Sequence, residues 1–137
     1  MKSIRILSHT SDIRLLIKSN SRHELFKAGI LGLSQILSPQ VKEKKYEFLK
    51  KIRVESMDLT TLFIDMLNEV LSLDHIHKCI FDDIKSLEIY DERAVEIEIG
   101  GYPVTRFSKD VKAVTYHEAE IQHSAAGLLQ TLVILDI

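Results

Sequence analysis

The sequence is short of the residues that announce special architectures. Among its 137 residues there is one cysteine, Cys79, with two prolines and five glycines thinly scattered. One cysteine excludes an intrachain disulfide and points to a reducing, cytoplasmic home. No Pro/Gly/Ser-rich linker, repeat or low-complexity run divides the chain, so residues 1–137 read as a single domain. A chain of this length can bury roughly 68% of the surface it exposes when unfolded, and needs neither disulfide nor structural metal to fold. Nothing approaches the ~18 consecutive apolar residues of a membrane span. Met1-Lys2-Ser3-Ile4-Arg5 lacks the long apolar core of a signal peptide, and His9 and Asp12 follow closely. Positive charge is not in excess either: the formal net charge is -2. That argues against a stand-alone nucleic-acid binder, though not against service to a partner that holds RNA. Glycine-rich phosphate loops, a G-x-S-x-G elbow and paired C-x-x-C motifs are all missing, and no nucleophile stands beside a base.

What is present is patterned. Residues 4–7 and 13–17 are apolar-rich runs flanking His9-Thr10-Ser11-Asp12, and predict two short strands joined by a polar turn. Ser21-Arg22-His23-Glu24 is a capping box, opening a helix that runs to about Leu37 and ends at Ser38-Pro39. Leu25, Ala28, Gly29, Gly32, Leu33 and Ile36 form its inward stripe, with the two glycines suited to close packing on a sheet. Lys42 to Lys45 read as an exposed basic stretch, and 46–54 as a strand. Asp58 caps a second helix over about 59–73, striped by Leu59, Leu62, Phe63, Met66, Leu67, Val70 and Leu71. Residues 87–90 and 95–99 predict a hairpin, Gly100-Gly101-Tyr102-Pro103 breaks the pattern, and 112–121 and 131–136 read as the last strands. Leu132-Val133-Ile134-Leu135 is continuously apolar, as in a strand covered on both faces. The expected fold is α+β: one mixed, mostly antiparallel sheet of about six or seven strands with two helices packed on it.

Candidate chemistry gathers at a few places, each with a bland reading beside the functional one. His9-Thr10-Ser11-Asp12 suits a turn, since Ser and Asp bond their own backbone. Asp136 interrupts an apolar strand, and Ile137 can add an α-carboxylate beside it. Meeting Asp12, these anions would repel, and a hard cation with oxygen ligands would relieve them; a solvated strand end explains them equally. Lys112-Ala113-Val114-Thr115-Tyr116-His117 is polar and aromatic within an apparent strand. Lys112 there either opposes carboxylates, meets phosphate, or decorates an ordinary edge. His75-x-His77-x-Cys79 would share one face if extended, but three ligands fall short of a structural zinc site. Cationic side chains suit the end of the second helix without any metal. Asp82-Asp83 and the lysines at 42, 44, 45, 50 and 51 read as solvated faces.

In order along the chain, several of these segments resemble the archease family. His9-Thr10-Ser11-Asp12 is similar to its His-Thr-Ala-Asp-type motif, and Glu24-Leu25-Phe26 continues the match. Leu62-Phe63-Ile64-Asp65-Met66-Leu67-Asn68-Glu69-Val70-Leu71 resembles its leucine-rich helix around a Trp-Leu-Asn-Glu core. Val111-Lys112-Ala113-Val114-Thr115-Tyr116-His117 is similar to its Lys-Ala-Thr-Tyr-His signature, and Val133-Ile134-Leu135-Asp136-Ile137 to its terminal strand. Departures are Ser11 where alanine is usual, Met66 where tryptophan is common, and the variable stretch from His75 to Cys79. The resemblance implies an archease-like sandwich and an accessory role: activating the RtcB-type RNA ligase of tRNA splicing, by promoting its GTP-dependent guanylylation and multiple turnover. It implies a divalent cation, of the calcium type, held by Asp12, Asp136 and Ile137. It implies a part for Lys112 in activation, contact with tRNA only through the ligase, no membrane, and no catalysis of its own. Alternatives are a general chaperone for RNA-processing enzymes, independent of metal, and a metal-dependent enzyme built on Asp12, Asp136 and His117.

Overall fold

The computed structural model describes residues 2–8 and 12–137. Among them are eight strands and two helices: β1 (Lys2–Ser8), β2 (Asp12–Ser19), α1 (Arg22–Leu37), β3 (Phe48–Glu55), α2 (Leu59–His77), β4 (Cys79–Tyr90), β5 (Ala94–Pro103), β6 (Ala113–Thr115), β7 (Gln122–His123) and β8 (Leu129–Asp136). The predicted turn residues His9, Thr10 and Ser11 lie outside the described residues.

The α+β composition with two helices is as expected, but the strands form two antiparallel sheets rather than one mixed sheet. One sheet runs β1-β2-β8-β6, with β7 also paired to β8; the other runs β3-β5-β4. Alternation along a strand reveals which side chains are buried, not which strand lies beside it. In β2, Ile13, Leu15 and Ile17 point into the core while Arg14, Leu16 and Lys18 face outward.

Both helices touch both sheets. On α1, the Cβ direction of Gly32 approaches Leu15 of β2 at 3.2 Å, while the Ser34 hydroxyl donates to the Phe81 carbonyl of β4 at 3.3 Å. A helix covered on opposite sides carries apolar residues nearly all round, which is why α1 buries ten of its residues, Ser34 and two glycines included. Gly29 serves a different neighbour from the sheet expected for it. A Cβ there would lie 2.6 Å from the Phe63 ring of α2. Gly29→Val should therefore destabilise the domain by about 2 kcal/mol through overpacking, read as a lower urea midpoint with an unchanged slope.

The helix caps are those the sequence predicts. Ser21 Oγ accepts from the Glu24 N–H at 3.2 Å, and Asp58 Oδ1 from the Thr61 N–H at 2.8 Å. The second helix, however, runs a full turn beyond 73, to His77. Asp74 does not stop it: the side chain is fully buried, and Oδ1 accepts the Phe81 N–H at 3.0 Å. Lys78 ends the helix in the left-handed conformation, φ 51°, with its N–H on the Asp74 carbonyl. His75 and His77 are consequently on a helix, about 200° apart around its axis. His75 packs on Phe107 with ring centroids 5.2 Å apart, and His77 on Phe48 at 5.4 Å. Cys79 is buried, and burial pushes its thiol up to about 12. The extended three-ligand face does not form.

Two other stretches differ from expectation. Gly100 and Gly101 continue β5 instead of breaking it, because Gly101 admits Phe81 from β4; a Cβ there would lie 2.7 Å from that ring. Residues 112–121 are not one strand. After β6 the chain turns at Glu118, φ 57°, with the Ala119 N–H on the Tyr116 carbonyl at 3.1 Å, and resumes pairing only at Gln122. Asp82 is less free than a solvated carboxylate: it accepts from Lys44 Nζ at 3.0 Å and from the Tyr46 hydroxyl at 2.6 Å, strapping the 39–47 loop down.

Candidate functional site

Asp12 and Asp136 come from opposite ends of the sequence and meet as direct partners in the β2–β8 ladder. Direct partners share a face, with Cβ atoms about 4.5–5.5 Å apart, and like charges so placed repel. On the other side of β8, Ala113 pairs with Asp136, and the Lys112 N–H donates to the Asp136 carbonyl at 2.7 Å. Lys112 thus lies beside the last two residues of the chain, with an exposed side chain. Ile137 follows directly and is half-buried. The residues singled out from sequence therefore converge at one end of the five-stranded sheet.

Sequence reading named Lys112 as an opposing charge and missed Arg14. Arg14, two residues along the same face of β2, places Nε 3.3 Å from Asp12 Oδ1 and Nη1 3.3 Å from Glu118 Oε2. The spacing i, i+2 on a strand was the available signal. His117 is exposed and stands 3.9 Å from Glu118 Oε2, facing that carboxylate rather than joining Asp12 and Asp136. Among the described residues, no group of three or more His, Cys, Asp or Glu side chains is arranged to hold a metal. What this end does offer is two side-chain carboxylates that face each other across the ladder. Hard oxygen donors of this kind fit a calcium-type cation better than a soft one.

Helix α2 holds this end in shape. The Asn68 carboxamide accepts the Val114 N–H at 2.9 Å and donates to the Val114 carbonyl at 2.8 Å, filling the place of a neighbouring strand beside β6. Asp65 accepts from both the Tyr116 and Ser56 hydroxyls, and Thr60 Oγ1 accepts the Ile121 N–H at 3.1 Å. The two motif-bearing stretches, 62–71 and 111–117, are therefore joined by side chain to backbone. Met66 is fully buried, so its presence is a matter of core packing and not of a partner surface.

A model of the Archease protein family (MTH1598/TM1083) matches residues 5–137. The chain belongs to the archease family. Protein archease of Pyrococcus furiosus is 31% identical, with 94% of each chain covered. Protein archease of Methanosarcina acetivorans is 29% identical over 99% of this chain and 97% of that one. The fold is shared with the solution structure of protein 1598 of Methanobacterium thermoautotrophicum (TM-score 0.80, 22% identity, 98% of each chain). It is shared also with the Thermotoga maritima crystal structure described as an archease, possible chaperone (TM-score 0.70, 19% identity, 96% of this chain and 94% of that one). In this archease the paired carboxylates and the adjoining Lys112 segment share one end of the five-stranded sheet, and the Asn68 clamp ties that end to the core.

Proposed function

We propose that this archease is an accessory activator of an RtcB-type RNA ligase in tRNA splicing. It promotes GTP-dependent guanylylation and multiple turnover of the ligase and meets tRNA only through it. The observation that carries this reading is the register that sets Asp12 against Asp136, with Lys112 bonded to the same strand end. A divalent cation of the calcium type, held by Asp12, Asp136 and the α-carboxylate of Ile137, would supply charge neutralisation at that end. An activator shifts its target only by binding one state better than another. The acidic pair is suited to a ligase state whose active site carries cations, and Lys112 beside it to anionic groups there. A cytoplasmic setting belongs to this proposal; no described helix is long and apolar enough to cross a membrane.

The test is ligase guanylylation at limiting metal and GTP. The wild-type chain should stimulate it, and Asp136→Ala should stimulate at least about tenfold less, the scale expected at a metal site. A short tag after Ile137 should weaken stimulation as well while leaving the thermal midpoint unchanged. Equal stimulation by all three proteins would refute the role of this end. The second reading is a metal-independent chaperone, in keeping with the Thermotoga maritima protein described as an archease, possible chaperone. It requires stimulation that survives chelation of everything but the ligase's own metal.

A further inference from the structure

The acidic pair already has a cation that belongs to the protein. Two carboxylates facing each other across a ladder need a counter-charge, and the Arg14 guanidinium provides one. Its fork is divided between two carboxylates, with Nε on Asp12 and Nη1 on Glu118, each at 3.3 Å. The contact with Asp12 is the more enclosed. Side-chain exposure is 21% at Asp12 and 27% at Arg14, against 50% at Glu118. Glu118 is itself held in an unusual backbone state, since φ 57° is rarely adopted by a non-glycine residue and is mostly left to Asn and Asp. The turn that presents it is fixed by the Ala119–Tyr116 backbone bond and by the Tyr116 hydroxyl on Asp65. Glu118 is thus placed to keep hold of Arg14 when Asp12 lets go.

We propose that Arg14 is an exchangeable counter-ion, shared between Asp12 and Glu118 when the acidic pair is empty and held by Glu118 alone when a divalent cation occupies Asp12 and Asp136. The proposal rests on the cation reading above and adds its regulation. Cation and guanidinium compete for one Asp12 oxygen, so Arg14 lowers the affinity of the site. Release of Arg14 toward Glu118 passes the state of the site to the 116–121 segment, which lies over the edge of the same sheet. An arginine suits this task because its rigid fork reaches two carboxylates at once, which a lysine ammonium cannot do in the same way.

The experiment is calorimetric titration of calcium into the full chain for the wild type, Arg14→Gln, Glu118→Gln, the double variant and Asp136→Ala. Arg14→Gln should bind about threefold to fivefold tighter, the scale of a partly exposed charge pair. Glu118→Gln should bind more weakly, because Arg14 then has only Asp12 to hold. In the Arg14→Gln background the Glu118 substitution should lose most of its effect, a non-additivity that independent charges would not produce. Arg14→Lys should keep the affinity low but uncouple it from Glu118. If Asp136→Ala abolishes binding while Arg14→Gln leaves it unchanged or weaker, the exchange is refuted and the cation site stands. Strict additivity of the two substitutions also refutes the exchange. If Asp136→Ala binds like the wild type, or the wild type does not bind, the cation site and its regulation fall together.

Discussion

Asn68→Ala should destabilise the protein by about 2–4 kcal/mol, since it leaves two backbone groups of a buried residue without partners at about 1–3 kcal/mol each. Val114 is buried, and the Asn68 carboxamide bonds both its N–H and its carbonyl. Among the described residues the three of β6 pair only with β8, so this side chain is its second neighbour. The same carboxamide donates to the Ile64 carbonyl at 3.3 Å, which fixes its orientation on the helix. Asn68→Asp should fare no better, because a carboxylate oxygen would then face the Val114 carbonyl. Urea unfolding measures the loss of stability. Amide exchange locates it, with protection falling most at Val114. The effect should reach function although Asn68 lies on α2, away from the acidic pair. The segment it clamps carries Lys112 and pairs with Asp136, so calcium affinity and ligase stimulation should both fall. Unchanged exchange at Val114 would mean that β8 alone holds β6.

Much of this fold is legible in local chemistry. Ser21 and Asp58 mark both helix starts because a short polar side chain before an apolar stripe has one economical use there. The alternation of β2 reads directly as an inner and an outer face. What local chemistry could not carry is partnership. Nothing in the strand patterns separates a single sheet from two, and the clue lay in α1, whose apolar circumference asks for cover on opposite sides. The stripe from Leu59 to Leu71 places the second helix's end near 73, and Asp74 lies just past it. Its buried bond to Phe81 instead makes it the brace of the last helical turn. The candidate site divides in the same way. Asp136 stood out as a charge in an apolar strand, and Asp12 was named as an anion that would repel it if the two met; family likeness singled out the pair, and strand register makes them neighbours. Arg14 and Glu118 belong to no motif. Their meeting depends on the left-handed turn at 118, which a non-glycine residue does not advertise.

Stability should fall as pH rises from 5 to 8, and Asp74→Asn should remove most of that slope. Burial, aided by the nearby Asp82, pushes the Asp74 carboxyl from its ordinary 3.8 up to about 8, against the opposing bond from the Phe81 N–H. Among the described residues Oδ2 has no hydrogen-bond partner, so none of them rewards a second negative oxygen there. The folded state therefore keeps a proton on Asp74 that the unfolded chain releases above about pH 4. Because the folded value is the higher one, this stabilisation is complete below the unfolded value and is lost as pH climbs through the window to about 8. The slope is about 1.4 kcal/mol per pH unit inside that window, and several kcal/mol across it is a large part of the roughly 5–15 kcal/mol that holds a domain folded. An amide at 74 keeps the acceptor for Phe81 and cannot ionise. Urea midpoints for both proteins at half-unit steps of pH would give the difference. Every other ionisable group is common to both chains and cancels. The Asn variant should be the more stable at pH 8 by several kcal/mol, with the gap closing toward pH 5. A gap that does not change with pH would mean that Asp74 is already ionised in the folded protein, and that water or a rearranged neighbour meets its second oxygen.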